Sequence, residues 1–110
     1  MGYDLHITRA THWTETQDKE IHPSEWMDCV EIDPELELDP ANGKYSVTWK
    51  GQCTVSEPWF DWSDGNVYTT NPDQAILGKM LQIASQLNAT VQGDNGELYQ
   101  RPEDLSGETS

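Results

Sequence analysis

Tyr3, Leu5 and Ile7 alternate with Asp4, His6 and Thr8 at the start of the chain. That two-residue period predicts a strand with one face in a core and the polar set on the other face. Residues 10–20 are polar and predict a loop. His22-Pro23-Ser24-Glu25 predicts a helix start, because proline suits the first helical position and Glu25 can complete a capping arrangement. Trp26, Met27 and Val30 then recur at helical spacing. Asp33-Pro34 ends the element, since a residue before proline avoids helical backbone angles.

Residues 35–38 can extend as a strand, and Pro40-Ala41-Asn42-Gly43 reads as a turn. Tyr45, Val47 and Trp49 alternate with Ser46 and Thr48 and are expected to point inward. Trp59-Phe60-Asp61-Trp62 and Val67-Tyr68-Thr69-Thr70 flank Ser63-Asp64-Gly65-Asn66. An Asp-Gly pair between two such runs predicts a hairpin with a two-residue loop. In that register Trp62 faces Val67, Phe60 faces Thr69, Asp61 faces Tyr68 and Trp59 faces Thr70. Trp59, Asp61, Tyr68 and Thr70 then share the face opposite Phe60, Trp62 and Val67.

Asn71-Pro72-Asp73 predicts a second helix, with Asn71 as its cap and Pro72 in the first position. Ile76, Leu77, Met80, Ile83, Ala84 and Leu87 form its apolar stripe, and Asn88 closes it. Residues 89–92 and 97–100 flank Gly93-Asp94-Asn95-Gly96 and predict a second hairpin. The expected fold is α+β: a mostly antiparallel sheet of about five to six strands with two helices packed on one face. Residues 1–100 are expected to form a single domain, and residues 101–110 a flexible acidic and polar tail.

The 110 residues include 35% hydrophobic ones, low for a globular chain. Five Trp and four Tyr compensate, because each aromatic buries a large area. Cys29 and Cys53 lie in no metal-ligand spacing, so two free thiols are expected rather than a thiolate site. No segment reaches the length of a membrane span, and the N-terminus lacks a signal-peptide pattern. Met1-Gly2 suggests myristoylation, but His6 stands where that motif needs Ser or Thr. A cytoplasmic location is the resulting expectation.

Charge changes the picture most. Twenty acidic residues face six basic ones, a formal net charge of -14. Ten of the carboxylates fall in residues 15–39, with Lys19 the single Lys or Arg among them. Such a field repels nucleic acids and anionic membranes and attracts basic protein surfaces. Solubility alone is the plain competing explanation.

Catalytic chemistry finds little support. His6, His12 and His22 lie near carboxylates, but their spacing matches no metal signature, and ordinary surface histidines are expected. No nucleophile has recognisable context, no phosphate loop is present, and no cofactor is implied. Two stretches, 61–66 and 94–97, resemble calcium loops faintly but lack their alternating ligands and distal Glu. Trp59, Asp61 and Tyr68 offer different chemistry: aromatics beside a carboxylate suit a hot spot for a basic partner. Cover by residues 10–20 is the competing reading. Glu31, Glu35 and Glu37, in the acidic run and expected to face solvent, complete the candidate partner-binding set.

The opening Met1-Gly2-Tyr3-Asp4-Leu5-His6-Ile7-Thr8-Arg9 resembles that of a family of small acidic bacterial proteins of unassigned function. So do Glu25-Trp26, Trp59-Phe60, Asn71-Pro72-Asp73 and the run from Val91-Gln92-Gly93-Asp94 to Leu98-Tyr99. The likeness covers most of residues 1–100, and the chain departs from it in a shorter middle, residues 38–57. The resemblance implies no catalytic residue and a toxin-immunity-like role. The expected function is therefore a cytoplasmic immunity protein that binds and neutralises a basic toxin domain, most simply a nuclease. The alternatives are a small enzyme or metal-binding protein using His6, Asp4 and nearby carboxylates, and a nucleic-acid mimic that inhibits a DNA-binding protein.

Overall fold

Leu5 and Ile7 are fully buried on one face of β1 (Asp4–Thr8), as their alternation predicts. The computed structural model describes residues 4–53 and 57–105, so the inward expectation for Tyr3 lies outside the described residues. After β1 come α1 (Pro23–Ile32), β2 (Leu36–Leu38), a single 3-10 turn (Pro40–Asn42) and β3 (Val47–Trp49). They are followed by β4 (Trp59–Ser63), β5 (Asn66–Thr70), α2 (Gln74–Gln86), β6 (Thr90–Gly93), β7 (Leu98–Tyr99) and a last 3-10 turn (Pro102–Asp104).

The described strands make one seven-stranded sheet in the order β2-β3-β4-β5-β1-β6-β7, and every pairing is antiparallel. This is the α+β architecture expected, with more strands than the five to six anticipated. The three-residue β2 and two-residue β7 are too short to carry a periodic signature of their own. β1 sits between β5 and β6. The chain therefore leaves β5, crosses through α2, and returns as β6 on the far side of β1.

Trp26, Cys29 and Val30 of α1 and Ile76, Leu77, Met80, Ile83 and Ala84 of α2 share one core with Leu5, Ile7, Val47, Phe60, Val67 and Val91. Both helices thus cover the same sheet face. Each helix end has a local cause. The backbone N–H of His22 donates to Glu25 Oε1 at 3.0 Å, the reach-back expected of the glutamate. Arg9 grips the same carboxylate through both terminal nitrogens, at 2.9 and 3.0 Å.

The start of α2 differs from expectation. Asp73, not Asn71, is the cap, and its side chain accepts from Ile76 N at 2.9 Å. Asn71 instead adopts a left-handed conformation, φ 52°, which asparagine tolerates, and turns the chain out of β5 ahead of Pro72. At the other end Asn88, φ 56°, closes the helix as expected.

The β4–β5 hairpin has the predicted register, with Asp61 opposite Tyr68 and Trp62 opposite Val67. Asp64 and Gly65 take φ values of 53° and 87°, the left-handed pair that a two-residue hairpin loop requires. Gly65 is also needed for space, since a Cβ there would lie 2.8 Å from Glu20 Cγ.

Lys79 is buried within the α2 stripe, 4% exposed. Its ammonium donates to Asp33 Oδ2 at 2.7 Å and Glu35 Oε1 at 2.8 Å. Burial works against Lys79's charge, but the two carboxylates more than offset it and raise its pKa. Burial likewise opposes the Asp33 carboxylate, yet the hydrogen bond from Lys79 leaves its pKa lowered overall.

Residues 101–105, where the polar tail was expected to begin, fold into a packed turn. Leu105 packs against the core, and Gln74 Nε2 donates to its carbonyl at 3.0 Å. Residues 106–110 lie outside the described residues. Cys29 is buried and Cys53 half-buried, and the two are not joined in a disulfide. Among the described residues no helix is long and apolar enough to cross a membrane.

Candidate functional site

The helices leave the second sheet face free, and the polar members of the alternating strands come out there. Cross-strand pairs share a face. Glu37 opposes Thr48, and Thr48 opposes Trp59. One step along β4, Asp61 opposes Tyr68, which opposes His6, which opposes Gln92. A band of polar and aromatic side chains therefore runs from β2 to β6.

At the β1–β6 end residues 10–16 fold back over this band. The Gln92 amide fixes them. It donates to the carbonyls of Thr11 at 3.0 Å and Ala10 at 3.5 Å, and accepts from Trp13 N at 2.9 Å. Trp13 stacks flat on His6, with ring centroids 3.7 Å apart and planes within 4°. Its indole N–H donates to Asp94 O at 3.0 Å.

The expectation of ordinary surface histidines is overturned for His6, which is only 5% exposed. His6 Nε2 lies 3.0 Å from Asp94 Oδ1, and Asp94 Oδ2 accepts from Asp4 N at 3.1 Å. Asp4 Oδ1 in turn accepts from Thr70 Oγ1 at 2.8 Å. One ligand atom from each of Asp4, His6 and Asp94 lies within 4.8 Å of the others. That donor set suits a divalent cation. It equally makes a self-satisfied hydrogen-bonded cluster, because each carboxylate already holds a donor.

The sequence carried part of this signal. Asp4 and His6 alternate on one face of β1, and Gln92 and Asp94 have polar side chains in and just after β6. The missing information was the β1–β6 pairing, which joins residues more than 80 apart.

A cavity of about 350 Å³ opens beside the cluster, lined by Asp4, His6, Trp13, Asp64, Asn66 and Tyr68 together with nearby hydroxyls. A second, of about 300 Å³, lies over β3 and β4 and is lined by Asp39, Thr48, Glu57, Trp59, Asp61 and Tyr68, among others. Tyr68 belongs to both walls. Burial pushes its phenol pKa up, and the Asp61 and Asp4 carboxylates push it the same way.

Trp59, Asp61 and Tyr68 thus converge at one place, as their alternation predicts. Each is half-buried, and Trp59 meets Tyr68 edge-on at 5.5 Å. Residues 10–16 reach Tyr68 from one side through the first cavity, and Trp59 and Asp61 line the second.

The three glutamates of the candidate set separate. Glu37 is exposed in β2, on the same face as Thr48 and Trp59, with Lys50 at 3.4 Å. Glu31 is exposed on α1. Glu35 is engaged in the Lys79 pair and accepts from Trp49 Nε1 at 3.1 Å. The Lys79 and Trp49 hydrogen bonds hold its pKa below the ordinary value. No family model, no curated protein and no solved structure matches the chain.

Proposed function

We propose that this protein is a binding protein whose helix-free sheet face docks a basic partner, in the manner of an immunity protein blocking a toxin domain. The observation that carries the reading is the convergence of Trp59, Asp61 and Tyr68 on one cavity wall, with Asp39 and Glu57 around it. Half-buried aromatics among carboxylates give a cationic surface both packing area and charge complementarity. The net charge of -14 adds long-range attraction to such a surface. A nuclease cleft fits this chemistry because it is positive in order to bind phosphate. The test is a search of the neighbouring genes for a toxin domain, followed by its co-expression with this protein. Protection should persist in the parent protein and weaken when Trp59 and Tyr68 are both replaced by Ala. Equal protection by both forms would place the contact elsewhere.

A second reading, that of a metal-binding protein, rests on the convergence of Asp4, His6 and Asp94. Under the leading reading the purified protein holds no stoichiometric metal. One equivalent of zinc or manganese that survives dialysis, and is lost in His6→Ala, would put the second reading first.

A further inference from the structure

We infer that the cavity between residues 13–16 and strands β1 and β5 receives the guanidinium of an arginine side chain presented by the partner. This builds on the basic-partner reading above and names the group it delivers.

Asn66 carries the first sign of a ligand. It is 5% exposed, and its side-chain N–H donates to the Trp13 carbonyl at 2.8 Å. A carbonyl can only accept, so that bond fixes which end of the amide faces Trp13. Asn66 Oδ1 is left buried with no hydrogen-bond donor among the described residues. A buried acceptor without a donor is costly, and folded proteins rarely leave one unmade. Asn66 lines the cavity, so the residue with the unpaired acceptor belongs to its wall.

The remaining wall says what kind of donor fits. Asp4 and Asp64 contribute carboxylates, and Thr14, Thr16 and Ser63 contribute hydroxyls. Among the described residues no Lys or Arg lines it. An anion finds no Lys or Arg here, whereas a cation finds two carboxylates. Trp13 and Tyr68 add aromatic surface, against which a flat cation is held well. Guanidinium matches this combination better than ammonium. Its donors are spread along a planar fork that can serve several separated acceptors, and it is more weakly hydrated. The cavity, about 350 Å³, lies at the small end of ligand pockets. It has room for one long side chain, not for an element of secondary structure. Tyr68 joins this cavity to the one over Trp59 and Asp61, so an inserted arginine would anchor a partner lying on the same face.

The test is a heteronuclear NMR titration of the full chain with a capped Gly-Arg-Gly peptide. Its citrulline counterpart, with the same shape and no charge, and free L-arginine form the other arms. Saturable shifts of the Asn66 side-chain amide and the Trp13 indole N–H are expected with the arginine peptide, and none with citrulline. Asp64→Asn keeps a residue that tolerates the left-handed turn. It should weaken binding about three- to fivefold, the scale of one exposed charge contact. Asp28→Asn, on α1, changes net charge equally and should have no effect.

An equal response to citrulline, or diffuse shifts equally affected by both variants, would overturn the pocket. Tighter binding of free L-arginine than of the peptide would overturn its origin in a partner chain. The two proposals fail separately. A toxin domain that binds while Asn66 and Trp13 stay unperturbed by the peptide removes the pocket alone. A pocket that takes the peptide, beside a toxin domain that is not bound, removes the immunity reading alone.

Discussion

Lys79 occupies a position that helical spacing alone would assign to the apolar stripe. It is tolerated there because Asp33 and Glu35 neutralise it at 2.7 and 2.8 Å. Breaking such a pair is worse than never having it, since the surviving charge stays buried. Lys79→Met should therefore cost about 3 to 5 kcal/mol in urea unfolding. Acid should reveal the same pair. The Asp33 pKa is lowered in the folded state, and Arg9, followed by the His22 N–H, brings Glu25 from 4.5 to about 2. Depressed carboxylates stabilise the fold above their unfolded values and lose that contribution as pH falls through the folded ones. The urea midpoint should fall between about pH 5 and pH 2, and fall less in Lys79→Met, where Asp33 is no longer held down. An unchanged midpoint over that interval would remove these pairs from the stability account. Nothing in the sequence announced the pairing of Lys79, because its partners lie 44 and 46 residues away. His6 was hidden for a similar reason: the tryptophan that covers it sits in a stretch whose polarity reads only as loop.

Elements whose signals are local were legible. The Asp64-Gly65 turn and the α2 stripe follow from a few neighbouring residues, and the structure reproduces both the hairpin register and the buried face. The α2 cap was displaced by two residues because Asn71 and Asp73 are both good caps, and only the backbone turn decides between them. Ile83 is fully buried in that stripe, so Ile83→Ala should cost about 2 to 5 kcal/mol. A loss under about 1 kcal/mol would mean that the site relaxes around the missing atoms. The fold of residues 10–13 over β1 and β6 was not legible, since it rests on long-range contacts: Gln92 with three backbone partners, Asn66 and Asp94 on Trp13, and the Trp13 stack on His6. Gln92→Leu leaves its three backbone partners unpaired and should cost about 1 to 3 kcal/mol. It should also loosen Trp13 from His6, read as a red shift of tryptophan emission before global unfolding. A variant of parent stability and emission would show that the segment is held by other contacts.

At the scale of the whole molecule, the proposed docking divides into an approach set by charge and a hold set by shape. Exposed charges act over about 10 Å at 0.1 M salt, so a field of this size accelerates encounter without fixing geometry. Glu37 and Asp61 share the sheet face with Trp59, whereas Glu31 sits on α1 and Glu35 is tied to Lys79. The six candidate partner-binding residues were chosen by residue type, and three-dimensional placement divides them into a converging group and two acidic residues with other settings. Reversal of Glu37 to Lys should slow association more than the same change at Glu31. Trp59→Ala should instead raise the dissociation rate, as the loss of a packed aromatic does. The most direct measurement is stopped-flow association with the proposed basic toxin partner, as salt rises from about 50 to about 500 mM. A steep fall in rate constant, made shallower by Glu37→Lys and Asp61→Lys together but not by Glu31→Lys, is the predicted result. A rate indifferent to salt and to all three reversals would contradict docking of a basic partner on this face.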